Sequence, residues 1–233
     1  MTAGNRGDGE DKKEEGRRRA DALREEYANA GNLMDWFDAL YVQADGEPAY
    51  IPWAHQVARP EFVEWLEGLP PHERRGRALD IGCGLGDNAV ILADAGFDVT
   101  AFDISGTAIE WAKRRFPDAA IDWRVADITD PPDDFEGAFD LVNETYTLQA
   151  LRPPHREMAI TALPRLVRPG GTLLIVGRGR HEDEPENPPP WPLLASELAP
   201  IMESGFEQVA FDDFHTDRKG TPIRHFRFEF RRP

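Results

Sequence analysis

The stretch Ala78 to Asp87, ALDIGCGLGD, constrains this chain more than any other. A short apolar run carrying one acid, Asp80, leads into glycines at alternate positions, Gly82, Gly84 and Gly86. Glycine there lets the backbone come close to a ligand and take conformations closed to other residues. Downstream of the turn, apolar strands DVTAFDI, AIDWRVAD, FDLVNET and GTLLIVGRG alternate with helical stretches at about Asp87 to Ala95, Ser105 to Phe116 and Pro154 to Val167. Strand and helix in alternation require right-handed crossovers and a parallel sheet covered on both faces. The rhythm changes at the end. After the proline-rich ENPPPWP and a helix from about Leu194 to Glu203, FEQVAFDDFH and PIRHFRFEF read as two strands with no helix between them. They should pair antiparallel, so the expected fold is a doubly wound, mostly parallel α/β sheet with a reversed last strand.

At 233 residues the chain suits one catalytic domain with additions. Residues 1–20 alternate acid, base and glycine without apolar periodicity and read as a disordered charged tail. Residues 21–233 read as a single domain, with a helical cap over 21–70 and the sheet over 71–233. Leu23, Tyr27, Leu33, Trp36, Phe37 and Leu40 supply the helical spacing of the cap, and Pro60 opens a further helix, PEFVEWLEGLP. No run nears the roughly 18 apolar residues that span a bilayer, and the charged start lacks the apolar core of a secretory signal. A cytoplasmic location is expected. The single cysteine, Cys83, excludes an internal disulfide and a cysteine-based zinc site, and reads as a packing residue inside the turn. A formal charge of -16 opposes nonspecific attraction to phosphate backbones, so nucleic acid is a poor substrate. No histidine pair has metal-ligand spacing, so no metal is expected.

The residues around the turn then choose among adenosine ligands. Asp103, about 20 residues on and ending the next strand, can accept hydrogen bonds from both ribose hydroxyls, which suits NAD and S-adenosylmethionine equally. A dinucleotide turn G-x-G-x-x-G needs glycine at position 87, where Asp87 stands and would repel a pyrophosphate. Asp80, delivered just before the turn, favours a cation over a diphosphate. No tyrosine is followed four residues later by lysine, and no P-loop glycine pattern with Lys-Ser or Lys-Thr is present. The phosphate-free, cationic S-adenosylmethionine fits better.

Taken in chain order, LDIGCGLG, AFDIS, VADITD, FDLVNET and LVRPGGTLLIV resemble the class I S-adenosylmethionine-dependent methyltransferases over nearly all of residues 60–230. The resemblance implies a Rossmann-like sheet of seven strands. It also implies that Asp103 holds the ribose and that Asp127 lies beside the adenine amino group. The turn Gly82, Gly84 and Gly86 would face the methionine part, and Trp36, Asp80, Cys83, Ile104, Ile128 and Glu144, after the fourth strand, are the further candidates to bind the cofactor. Each acid can also be read as a plain loop end.

Outside that core, WFDALY, IPW, PEFVEWL, the stretch FDLVNETYTLQAL with RPPHRE, and PPPWPL resemble the thiopurine, thiol and halide methyltransferase branch. Two positions depart from it: Ala54 follows Trp53 where the branch often has aspartate, and Asn88 stands where an acid is common. Trp36, Trp53 and Trp191 can close an apolar cap over a sulfonium methyl or serve as ordinary core. Arg178 and Arg180, after the fifth strand, can meet an anionic substrate or pair with nearby acids. Tyr146, His155 and His181 are the candidates to orient or deprotonate an acceptor, with Tyr146 the one assigned a catalytic place. The expected reaction is in-line methyl transfer to a small-molecule thiol, sulfide or halide; transfer to oxygen or nitrogen of a larger metabolite, or binding without turnover, are the alternatives.

Overall fold

In a computed structural model, which describes residues 4–186, 190–218 and 220–233, the strand preceding the glycine turn lies near the middle of a seven-stranded sheet. This strand, β1 (Arg77–Ile81), pairs in parallel with β2 (Asp98–Asp103) on one side and β4 (Phe139–Thr145) on the other. Beyond them lie β3 (Ile121–Val125) and β5 (Val167–Arg178), also parallel. The two last strands, β6 (Glu207–Arg218) and β7 (Thr221–Arg231), form the antiparallel pair expected, and β7 inserts beside β5, giving the order β3-β2-β1-β4-β5-β7-β6. The strand order reverses between β1 and β4, so the crevice at the carboxyl ends of these strands is the topological switch point.

Helices cover both faces because the central strands are apolar on both. Leu79, Ile81, Val142, Leu173 and Ile175 pack on one side with α6 (His155–Leu166) and α7 (Ala199–Glu203). Ala78, Val99, Leu141 and Leu174 pack on the other with α3 (Pro60–Gly68) and α4 (Asp87–Ala95). On α5 (Gly106–Arg115), the Ser105 hydroxyl accepts the Ala108 N–H at 2.9 Å as an N-cap, and basic residues fill the last turn, which suits the helix dipole. A third cluster joins α2 (Trp36–Ala44) to Leu85 in the glycine turn and to Ala108 and Trp111 of α5. The N-terminal cap is thereby fastened to the ligand end of the sheet.

The charged N-terminus differs from the disordered tail expected. From Gly4 to Asn29 it is one helix, α1, and residues 1–3 lie outside the described residues. Glu15 pairs with Arg18 and Arg19 at helical spacing, which supports the helix locally. Ala20 and Leu23 are buried, and Gly16 packs so closely on Tyr50 that a Cβ built there collides with the Tyr50 carbonyl oxygen. Charge alternation hid a narrow packing stripe of small and apolar residues. The late helix is shorter than expected: a 3-10 turn at Ala195–Leu198 precedes α7. Of the PPPWPL segment, Pro188 and Pro189 lie outside the described residues, while Trp191 is buried. No helix among the described residues is long and apolar enough to cross a membrane.

Candidate functional site

Three strand ends converge around the glycine turn. Register places Asp80 of β1 beside Ala101 of β2 and Asn143 of β4, and Ile81 beside Glu144, so the acids expected from separate stretches become neighbours. The Asp103 carboxylate accepts the Gly84 N–H through Oδ2 and the Ser105 N–H through Oδ1, each at 2.9 Å. One acid therefore holds the turn and the start of α5 together, and each oxygen keeps a lone pair for another donor. The Gly82 conformation, φ 60°, is left-handed, and a Cβ there collides with the Thr147 side chain. Thr147 in turn donates to the Ile81 carbonyl at 3.2 Å, which clamps the segment after β4 onto the turn after β1.

Burial sets the protonation of the acids. Asp80 is buried; its Oδ1 accepts from Asn143 Nδ2 at 2.7 Å, and its Oδ2 has no partner among the described residues. Loss of water raises its pKa to about 7, against the Asn143 hydrogen bond, which lowers it. Glu144 is also raised to about 7 by burial, although its Oε1 accepts the Thr147 and Leu148 N–H groups at 2.7 and 2.9 Å. Its Oε2 is likewise buried and unpartnered among the described residues. Burial pushes the Asp103 carboxyl and the Cys83 thiol up as well. The thiol is held protonated, which fits a packing role and not a nucleophilic one.

Aromatic side chains of the cap close over this floor. Tyr41 is buried with its hydroxyl against Gly84 and accepts the Trp53 indole N–H at 2.9 Å. Trp53 meets Trp36, Phe37 and Tyr41 edge-on at 5.8 to 6.1 Å between centroids. Trp191 is reached from α1 instead, where the Arg24 guanidinium lies 5.8 Å from the Trp36 ring and 5.5 Å from the Trp191 ring. Trp36 and Trp53 thus share one cluster, and Trp191 flanks it across Arg24. Ile104 opens onto a cavity of about 680 Å³ that Tyr27, Met34, Asp38 and Gly106 also line. Asp127 and Ile128 follow β3, and the Asp127 carboxylate is engaged by the Thr129 N–H and hydroxyl at 2.7 and 2.8 Å.

Tyr146, immediately after β4, adopts φ 68°, a left-handed conformation that costs a non-glycine residue energy and is concentrated at functional positions. Its ring lies under the Arg59 guanidinium at 4.9 Å and meets His225 at 5.8 Å. Burial and the nearby Glu61 carboxylate push its hydroxyl well above the usual tyrosine range, so it can donate a hydrogen bond but is a poor base. Arg178 is half-buried on the same side. His155 opens α6 and His181 is exposed, its N–H donating to Glu184; neither meets the ring of Tyr146.

Several residues here carry no local signature in the sequence. Asp38 accepts the Ser105 hydroxyl at 2.7 Å and the Thr107 N–H at 3.0 Å, tying α2 to α5. Tyr41 lies within the quoted WFDALY, yet nothing in that hexapeptide says that its hydroxyl reaches a turn more than forty positions on. Arg115 forks onto Asp87 at 2.8 and 3.1 Å and also donates to the Leu85 carbonyl at 2.6 Å. Asp87 is therefore part of a strut under the turn as well as a substitute for glycine.

Comparison with known proteins accords with this geometry. Residues 78–171 match the family model described as a methyltransferase domain. Human glycine N-methyltransferase is 30% identical over 154 residues, 57% of this chain and 52% of that enzyme. A probable thiol methyltransferase 2 of Arabidopsis thaliana is 29% identical over 72% of this chain and 74% of that protein. The chain thus spans about half the length of the human relative and about three quarters of the plant one. Among solved structures, the N-methyltransferase NodS from Bradyrhizobium japonicum WM9, in complex with S-adenosyl-L-homocysteine, aligns over 78% of this chain and 92% of its own, with 19% identity and a TM-score of 0.58.

Proposed function

We propose that this chain, which carries a class I S-adenosylmethionine-dependent methyltransferase domain, transfers a methyl group to a small soft nucleophile, a thiol, sulfide or halide. The observation that carries the reading is the aromatic cover of Trp36, Phe37, Tyr41 and Trp53 over the glycine turn, with the Tyr41 hydroxyl against Gly84. When bound, the cofactor supplies a methyl group on a sulfonium cation. The unpartnered Oδ2 of Asp80 is the donor set's clearest fit to it, because a cationic donor satisfies a buried, orphaned carboxylate oxygen. Asp103 uses its remaining lone pairs for the ribose hydroxyls, Ile104, Asp127 and Ile128 border the adenine, and the turn itself borders the methionine part.

Catalysis in this reading is positioning. The aromatic rings exclude water and offer favourable faces to a cation, and Tyr146 orients the acceptor by donating its hydroxyl proton into a hydrogen bond. Holding the nucleophile about 3 Å from the methyl carbon supplies most of the acceleration of an in-line displacement. A thiol with an ordinary pKa near 8.5 is partly ionised at neutral pH and needs no dedicated base. The plant relative's name supports this acceptor class. The human relative's name favours a second reading, methylation of an amine nitrogen.

Incubation of the purified protein with methyl-deuterated S-adenosylmethionine and a panel of thiols, halides, amines and phenols, followed by mass analysis, separates these. Deuteromethyl thioethers or methyl halide as the fastest products are expected. Fastest labelling of amines or phenols, or no labelling by a protein that binds S-adenosylhomocysteine, contradicts the soft-nucleophile reading.

A further inference from the structure

We infer that the sheet face beside Tyr146 carries a carboxylate-binding subsite built from Arg178 and Arg218, with Arg59 behind them, and that the methyl acceptor is therefore a small acid. The inference rests on the methyl-transfer reading and deepens it by giving the acceptor a chemical class.

Strand register puts these residues on one face. Arg178 of β5 lies opposite His225 of β7, and His225 lies opposite Phe214 of β6 and stacks on it with ring centroids 5.6 Å apart. Side chains alternate along a strand, so Arg218, four residues beyond Phe214, shares that face. His225 meets the Tyr146 ring, and Arg59 covers the same ring from the segment before α3. Arg59 and Arg178 thus flank Tyr146, the residue that follows β4 at the crevice, and Arg218 lies further out along the hairpin, close enough for its charge to act on both.

Other partly buried arginines of this acidic molecule are paired, Arg115 with Asp87, Arg156 with Glu197, Arg224 with Asp213 and Arg227 with Asp212, while Arg74, Arg231 and Arg232 donate to backbone carbonyls. Among the described residues, Arg59, Arg178 and Arg218 have no carboxylate within ion-pair distance; Arg59 donates to the Trp53 carbonyl at 2.9 Å. Arg59 and Arg178 are nonetheless partly buried; burial lowers the pKa of each, the Arg218 charge lowers both further, and Arg59 adds to the effect on Arg178. The carboxylates that face the group are Glu61, beside Tyr146, Asp87, already taken by Arg115, and Glu184, which lines one cavity with Arg178, Arg180 and Arg224 and accepts the His181 N–H. Positive charge is in excess: His55 is depressed to about 4 by burial and by Arg59, Lys13, Arg218 and Arg178. A chain with 43 acidic and 27 basic residues has acids to spare for pairing. Without a carboxylate partner and partly desolvated, Arg59 and Arg178 gain most from an anion that arrives with the substrate, exposed Arg218 adds its charge from the rim, and the planar fork of each matches a carboxylate.

The test uses calorimetry on the full chain. First, S-adenosylhomocysteine is titrated alone; then, with that ligand saturating, propionate, succinate, benzoate and 3-mercaptopropionate are titrated beside their neutral amides. At least one carboxylate should bind about tenfold or more tightly than its amide, and Arg178→Gln should remove that preference while leaving the affinity for S-adenosylhomocysteine within about twofold. Arg218→Gln serves the same purpose if the first variant does not fold. Equal binding of acids and amides, or no binding of either, to a protein that holds S-adenosylhomocysteine overturns the subsite and leaves the methyltransferase reading intact. A tenfold loss of S-adenosylhomocysteine affinity in Arg178→Gln, with no acid preference in the parent, assigns the arginines to the cofactor's own carboxylate and also overturns it. Failure of the parent to bind S-adenosylhomocysteine counts against the reading beneath it.

Discussion

Asp80 concentrates the electrostatics of the site in one side chain. Its pKa of about 7, raised by burial from 3.8, means that the folded state binds its proton more tightly than the unfolded state does. Stability from this group is full below about pH 4 and is lost as pH rises through 7. Glu144 acts in the same direction, whereas His55, depressed from 6.5 to about 4, acts oppositely between those values. The comparison that isolates Asp80 is therefore between parent and Asp80→Asn without cofactor. Melting curves from pH 5 to 8 should show the variant gaining on the parent as pH rises, by at most roughly 1.4 kcal/mol per pH unit. Parallel curves contradict the assignment. The positions of Asp80, Gly82, Gly84, Gly86, Asp103 and Glu144 at neighbouring strand ends were legible from sequence because each lies beside a local pattern of apolar run and turn. Asp38, Arg59 and Arg115 were not, because only tertiary packing brings them to Ser105, Tyr146 and the turn.

At the scale of elements, α1 separates the sequence reading from the structure most clearly. The strands of the sheet were legible because short apolar runs alternate with helical spacing, and the β6 and β7 pair because no helix intervenes. In α1, favourable charge pairs and a stripe as narrow as Gly16, Ala20 and Leu23 look the same as a solvated segment. Two glycines on that helix test its docking. Gly9→Ala meets no atom within 4 Å and should stabilise by about 0.5–1 kcal/mol through helix propensity. Gly16→Ala collides with the Tyr50 carbonyl and should destabilise by about 1–3 kcal/mol. Urea melts showing both substitutions neutral would return α1 to a detached tail.

The whole molecule joins a sheet with a reversed strand, a helical cap fastened to Leu85 in the turn, and an acidic composition in which Arg59 and Arg178 are nonetheless partly buried without a carboxylate partner among the described residues. The doubly wound architecture follows from chain order; the closure of the cap over the turn depends on Tyr41, Trp53 and Asp38 meeting residues far away in sequence. The central claim is that the turn Gly82–Gly86 with Asp103 holds S-adenosylmethionine. Calorimetric titration of the full chain with S-adenosylhomocysteine tests it most directly, with Asp103→Ala as the paired variant. One site with a dissociation constant of about 1–100 μM, weakened at least tenfold in the variant, is the predicted result. No binding at millimolar ligand, or equal binding by parent and variant, contradicts the claim.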